Sequence, residues 1–359
     1  MNNPTLTEIG SEFLHNIQGH DDFLVDIATS LSAGCMHHAW LLTGPVGIGK
    51  ASMAKLAAAW LLSDSTQSRA LFGMESPNIK LDAEDAGTSL VMKGAHPDYK
   101  IIVPQTENNK SGQIKIDQLR ELLPFMMHKP ARGGWRVAII DSMDNVNSNG
   151  ANALLKLLEE PPEKAVIFLI SSHIGHLPPT IRSRCRLVRM SRLAPEACML
   201  ALGCILPNAE TNQLEILSKL SQGAPGQAVK LADSGAADLY QEACTLLQSS
   251  TLNRSALANI CAKWGRGAAA GREIRAGAIF CIDRLLRQSA LQASQIKTVE
   301  LCNFEIPVIE RLAGCHSAEQ LARFHNEFVT KAVKAERLFL DFARFLERYL
   351  SKIYEKSLP

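Results

Sequence analysis

No Cys-x-x-Cys pair occurs in this chain, although it has nine cysteines, at positions 35, 185, 198, 204, 244, 261, 281, 302 and 315. Their scatter argues against both a tetrathiolate zinc site and a disulfide framework. They read as reduced, mostly buried thiols. Long hydrophobic runs are also missing: the longest, such as Ala57 to Leu62 and Val166 to Ile170, fall far short of the roughly 20 residues a membrane-spanning helix needs. Residues 1–20 lack the basic-then-apolar order of a signal peptide, so a cytoplasmic protein is expected. Strong charge of one sign is absent too. A net charge of +2 gives no global electrostatic case for nucleic acid, and any such contact would come from a local patch or from partner subunits. No internal repeat is evident. With 46% hydrophobic and 21% charged residues the composition is that of an ordinary globular protein, neither disordered nor membrane-embedded.

A chain of 359 residues exceeds what one core usually fills, so several domains are expected. Up to about residue 190, short apolar or β-branched runs alternate with helical patterns, which predicts a parallel sheet covered by helices. The predicted strands are Trp40 to Thr43, Tyr99 to Val103, Arg136 to Ile140, Val166 to Ser171 and Arg186 to Met190. Several lack polar alternation, as strands buried on both faces should. Leu62 to Gly94 is polar and reads as a surface insertion or partly ordered loop. After Pro195 the strand signal disappears, and helical stretches are separated by breaks such as Pro207-Asn208 and Gly223 to Gly226. The last segment opens on a capping box, Ser317 with Gln320. Leu321, Phe324, Phe328, Ala332, Ala335, Phe339, Phe342, Leu346, Tyr349 and Ile353 then follow at spacings of three to four. One long amphipathic helix is predicted, its apolar face the core side of a helical domain.

Gly44, Pro45, Val46, Gly47, Ile48, Gly49 and Lys50 follow the first strand and precede a helical run from Ser52 to Leu62. That context gives a Walker A match its meaning: backbone N–H groups and the helix N-terminus surround a phosphate, and the lysine reaches the β and γ phosphates. The alternative is a glycine-rich turn that holds no ligand. Ala51 stands where a Ser or Thr hydroxyl should hold Mg²⁺, and Ser52 comes one residue late. The third strand ends in Asp141, where a Walker B acid meets the metal, or where a turn residue would simply cap a helix. Its successor is Ser142, with Asp144 two residues on; serine cannot act as the base that polarises an attacking water at neutral pH.

The stretch Asn149 to Pro162 reads Asn-Gly-Ala-Asn-Ala-Leu-Leu-Lys-Leu-Leu-Glu-Glu-Pro-Pro, and Ser183-Arg184-Cys185 follows the fourth strand. With His37-His38-Ala39-Trp40 and His96-Pro97-Asp98, these motifs resemble the clamp-loader branch of the AAA+ ATPases over about the first 230 residues. The tail is similar only in its helical character. The resemblance implies an AAA+ P-loop α/β domain with a five-stranded parallel sheet in the order 5-1-4-3-2 (residues 1–191). A helical lid (192–236) and an all-α collar for oligomerisation (237–359) would follow.

Within the family, motor subunits of the gamma and tau kind keep a Walker B glutamate and a lid arginine. Here the lid segment Gly223-Ala224-Pro225-Gly226 places Gly226 at that arginine's position. Ala51, Ser142 and Gly226 together resemble the delta-prime class, which keeps the fold and loses its own hydrolysis. The resemblance implies weak binding of ATP or ADP through Gly44 to Ser52 and Asp141, with little dependence on Mg²⁺, and no zinc, since residues 60–98 hold no cysteine. It implies Arg184 as an arginine finger acting in trans on ATP held by a gamma or tau neighbour. Arg184 could instead pair with a surface acid or cap a helix C-terminus. Implied partners are gamma/tau and delta subunits, with the sliding clamp and primer-template DNA reached through the complex. Two other readings stay open. One is an active gamma/tau-like ATPase, favoured by Lys50 and Asp141; the other is a stand-alone DNA-binding protein, favoured by Arg182, Arg184, Arg186, Arg189 and Arg192.

Overall fold

The computed structural model describes residues 19–64, 81–82, 84–104, 112–265, 271–296, 299–338 and 340–355. The chain forms two compact units, residues 1–207 with 223–226, and residues 208–222 with 227–359.

The first unit is built on five parallel strands: β1 (Ala39–Thr43), β2 (Tyr99–Ile102), β3 (Arg136–Asp141), β4 (Ala165–Ser171) and β5 (Arg186–Arg189). Their order, β2-β3-β4-β1-β5, is the expected 5-1-4-3-2 read from the other edge. The expected strand ends shift by one residue because ladder bonds, not hydropathy, set them. Ala39 pairs with Ile167, Ala165 with Arg136 and Asp141 with Ile170, while Val103 and Met190 fall outside.

Successive strand residues point to opposite faces, and in β1, β3 and β4 both faces are covered, so both sets are almost wholly apolar, whereas β5 at the margin is largely exposed. Trp40, Leu42, Val137, Ile139, Phe168 and Ile170 enter one core with Met53, Ala57 and Leu61. Leu41, Ala138, Ile140, Ile167 and Leu169 enter the other with Leu119, Leu154 and Leu157. Burying each large aliphatic side chain contributes about 1.5–3 kcal/mol.

The covering helices are α1 (Asp21–Ser32), α2 (Lys50–Leu61), α3 (Ala86–Met92), α4 (Ile116–Arg120), α5 (Leu122–Met127), α6 (Ser148–Glu159) and α7 (Pro179–Arg182), and α8 (Pro195–Ile205) follows β5. α2 begins at Lys50 rather than Ser52. α3 corrects the reading of 62–94 as insertion or loop. The Asp85 carboxylate caps it by accepting from the Thr88 amide at 2.9 Å, and Val91 and Met92 are buried. Residues 65–80 and 83 of that stretch lie outside the described residues. His96-Pro97-Asp98 proves to be structural. Buried Asp98 accepts from the Ala131 amide (2.8 Å), the Arg132 amide (3.2 Å) and Arg136 Nη2 (2.8 Å), tying the entry of β2 to the loop before β3.

The helices that follow are α9 (Thr211–Ser221), α10 (Pro225–Asp233), α11 (Ala236–Gln248), α12 (Arg254–Gly265), α13 (Gly271–Ala293), α14 (Ile306–Cys315), α15 (Ala318–Arg337) and α16 (Phe342–Glu355). Among the described residues no strand follows β5. The single long C-terminal helix is a misreading: the chain breaks between α15 and α16. Neither glycine nor proline marks the break. Asp341 starts α16, its side chain accepting from the Arg344 amide at 3.2 Å, and the Leu340 amide bonds back to Ala335 O at 3.0 Å. The apolar periodicity continues because both helices bury the same kind of face, with Phe324 and Phe328 ring centroids 5.3 and 5.2 Å from Tyr349. Phe339 lies outside the described residues.

One polar group sits at the centre of this unit. Glu305 accepts from Arg284 Nε (2.8 Å) and Nη2 (3.1 Å), the Tyr240 hydroxyl (2.8 Å) and the Cys302 amide (2.9 Å). α11, α13 and the turn before α14 are thereby joined at a single carboxylate.

Candidate nucleotide loop and arginine edge

The loop from Gly44 to Gly49 leaves the C-terminal end of β1 and runs into α2. Gly44 and Gly49 take φ values of 152° and 98°, and a Cβ on Gly44 would lie 2.1 Å from Met190 O, so glycine is required there on both counts. The loop's carbonyls accept from the chain's own donors. Buried Lys50 places Nζ 2.7 Å from Gly44 O, 2.6 Å from Pro45 O and 3.1 Å from Ser172 Oγ. The Gly226 amide donates to Gly47 O at 2.8 Å, and His20 Nε2 donates to Ile48 O at 3.3 Å. Burial pushes the Lys50 ammonium below its usual pKa, against the pull of Asp141 and Asp144. Burial likewise lowers His20, with the Ile48 carbonyl opposing it.

Beside the loop stand the ends of β3 and β4. Asp141 closes β3 and acts on Lys50 through its charge. Asp144 is anchored by four donors. It accepts from the Ser172 amide (2.6 Å), Ser171 Oγ (2.7 Å), the His173 amide (3.2 Å) and Ser142 Oγ (3.2 Å). Burial alone would raise its carboxyl pKa, but these donors outweigh burial and hold it below the usual range. Ser142 also caps the turn Met143–Asn145 through the Asp144 amide, a structural use of the residue found where a hydrolytic base would stand. Sequence reasoning noted Asp144 without giving it a role and missed Ser172 and His20. The one available signal was the polar pair that ends the apolar run of β4.

The segment Gly223–Gly226 is fixed to the same unit. The Leu193 amide donates to Gly223 O at 2.9 Å, and a Cβ on Gly223, at φ 77°, would lie 2.2 Å from Leu193 O. A Cβ on Gly226 would come within 3.1 Å of Gly47 O. An arginine here would therefore have to push the loop backbone away.

The loop's positive-φ glycines, helix N-terminus and buried lysine fit a phosphate. At the position after the lysine Ala51 offers no side-chain oxygen, and Asp144 already accepts from four donors. The described helices are too short or too polar to cross a membrane.

Arg184 lies at the opposite end of the strands. β5 runs parallel to β1 with Trp40 beside Arg186 and Thr43 beside Arg189, so Arg184 precedes the strand starts while the glycine loop follows the strand ends. Its guanidinium donates from Nη2 to Glu159 Oε1 at 2.8 Å and from Nη1 to Thr180 O at 3.1 Å, with 35% of the side chain exposed. Both contacts that were the bland alternatives for this residue are thus made. Arg186 is committed inside the unit: it pairs with Asp26 at 2.9 Å, donates to Ser30 Oγ and lies 4.6 Å from the Trp40 ring centroid.

A family model described as DNA polymerase III, delta subunit, matches residues 19–194, the stretch that carries both ends. Over this stretch the chain is similar to subunits of DNA polymerase III. The chain is 35% identical over 198 residues to DNA polymerase III subunit delta' of Pseudomonas aeruginosa, a span of 55% of this chain and 56% of the relative. It is 30% identical over 225 residues to the delta' subunit of Escherichia coli, 62% of each chain. It is also 29% identical over 226 residues to the tau subunit of Escherichia coli, 62% of this chain and 33% of the relative. The alignments thus span less than two thirds of each relative's own length. Subunits of both the delta-prime and the tau kind are therefore similar to it, and the choice between them rests on individual residues.

Proposed function

We propose that the chain is a delta-prime-like subunit of a clamp loader, helping to place a sliding clamp on primed DNA beside gamma/tau and delta subunits. It would act in the cytoplasm, with residues 1–191 as P-loop domain, 192–236 as lid and 237–359 as an oligomerising collar. In this reading Gly44 to Ser52 and Asp141 hold ATP or ADP weakly and do not hydrolyse it, and Arg184 serves a neighbour's ATP.

The observation that carries the proposal is the state of the loop's surroundings. Ala51 withholds a metal ligand, Ser142 is a turn cap, and Gly226 packs where a lid arginine would need room. Arg184 at the opposite end of the strands supplies a reason for such a subunit to keep its fold. A guanidinium delivered in trans stabilises the charge spread over transferring phosphoryl oxygens, which is worth roughly 10³ to 10⁵ in turnover in well-characterised NTPases.

Two measurements test this. The isolated chain should release phosphate from ATP no faster than background, whereas a Lys50-dependent turnover would favour an active gamma/tau-like ATPase, the reading that the similarity to tau supports. In a reconstituted loader with clamp and primed DNA, Arg184→Ala should assemble normally and slow ATP turnover. A mutant complex that assembles and turns over at the wild-type rate would demote Arg184 to a structural residue.

A further inference from the structure

The paired acid at the end of α6 has no part in the reading above, and its surroundings are peculiar. Glu159 is the last residue of α6, directly before the turn through Glu160, Pro161 and Pro162. A carboxylate there faces the negative end of the helix dipole, where a cation is the favoured side chain. Its partner is the Arg184 guanidinium, Nη2 to Oε1 at 2.8 Å. The same guanidinium sends Nη1 to Thr180 O at 3.1 Å and, more loosely, to Ser183 Oγ at 3.4 Å, near the C-terminal end of α7. Arg184 is therefore held by a charge from one helix and a carbonyl from another, while a third of its side chain remains exposed. Proline at 161 and 162 cannot continue the helix and stops α6 where Glu159 meets Arg184.

We infer that Glu159 is a positioning residue for Arg184: it fixes the guanidinium at the edge of the subunit so that a neighbouring subunit's nucleotide meets an ordered donor rather than a mobile one. This inference rests on the arginine-finger reading. A long side chain that must be ordered during the reaction loses rotamer freedom at that moment, and an arginine already restrained loses less. Because both partners are half-exposed, the effect is that of a surface pair, and turnover should change by only about two- to five-fold. Charge is secondary to the hydrogen bond in this role, so glutamine, which keeps an acceptor oxygen at the same reach, should largely substitute for glutamate.

The test is a double-mutant cycle in the reconstituted loader with clamp and primed DNA, recording kcat and KM for ATP and checking assembly by gel filtration. Glu159→Ala should lower kcat about two- to five-fold with KM for ATP nearly unchanged, and Glu159→Gln should restore most of it. In an Arg184→Ala background, Glu159→Ala should have no further effect. Two results overturn the inference while leaving the finger in place: Glu159→Ala matching wild type when Arg184→Ala is impaired, or Glu159→Ala costing the same factor with and without Arg184. If Arg184→Ala itself turns over like wild type, the finger reading falls and the positioning role falls with it.

Discussion

Glu305→Ala tests the helical unit at its single most committed polar group. Glu305 and Arg284 have side-chain exposures of 0% and 1%, and the carboxylate accepts from two guanidinium nitrogens, the Tyr240 hydroxyl and the Cys302 amide together, while Arg284 Nη2 also reaches Glu300 O at 3.0 Å. Removing it strands a buried cation and two further donors. Breaking a buried pair from one side typically costs about 3–5 kcal/mol, a range that already includes most of the orphaned hydrogen bonds. Arg284→Met should cost a similar amount by stranding the carboxylate. Arg284→Met/Glu305→Leu removes both charges and leaves the Tyr240 hydroxyl, the Cys302 amide and the Glu300 carbonyl without these partners, so the double variant should fall short of the sum of the singles by about 2–3 kcal/mol. Because the chain forms two units, one bulk unfolding curve can mix two transitions. Native-state hydrogen exchange of amides in α11 and α13 reports the helical unit by itself. A loss below about 1 kcal/mol for Glu305→Ala, or strict additivity in the double variant, would refute the assignment of this cluster as the unit's polar keystone.

Asp144→Asn should cost about 1–3 kcal/mol by weakening bonds from Ser171, Ser172 and His173. Because the Asp144 carboxyl is depressed in the folded chain, its contribution is fully present above the unfolded value near pH 4 and fades as pH falls through the lower folded value. The acid limb of the wild-type stability profile should therefore be steeper than that of Asp144→Asn, and superimposable profiles would contradict this. Gly223→Ala should lower the melting temperature clearly more than Gly226→Ala, because the first meets both a positive φ and the Leu193 backbone while the second meets Gly47 at 3.1 Å; equal shifts in thermal unfolding would refute it. Burial pushes the thiols of Cys185, Cys261 and Cys302 up to about 12, so brief alkylation at pH 8 followed by mass spectrometry should mark the exposed Cys35, Cys204 and Cys315 first. Equal labelling of Cys185 would count against its burial.

The sheet was legible because its central strands are apolar on both faces, a pattern that Val137 to Ile140 and Val166 to Ile170 show without interruption. The glycine loop was legible from local spacing for a similar reason. What escaped was non-local. Nothing around Asp144 announces that residues 171–173 will surround it, and His20 reaches Ile48 across 28 positions of chain. The break between α15 and α16 escaped because a 3.6-residue period cannot distinguish one long helix from two that bury the same kind of face, and the signal there was an aspartate capping the start of α16 rather than a glycine or proline ending α15. Glu159 was quoted as part of a motif, yet its partner lies 25 residues on, past an entire strand.

Lys50 can also be viewed as a ligand of its own loop. Its ammonium is tethered six residues from Gly44 and bonded to two loop carbonyls, so it competes for that neighbourhood at an effective concentration no free molecule matches. A nucleotide that recruits the lysine must first draw it off those carbonyls, exchanging bonds already made for bonds to phosphate. Apparent affinity is then the intrinsic affinity scaled by the fraction of time the ammonium spends free of the loop. Phosphate recognition at this site becomes a question of how readily one side chain lets go.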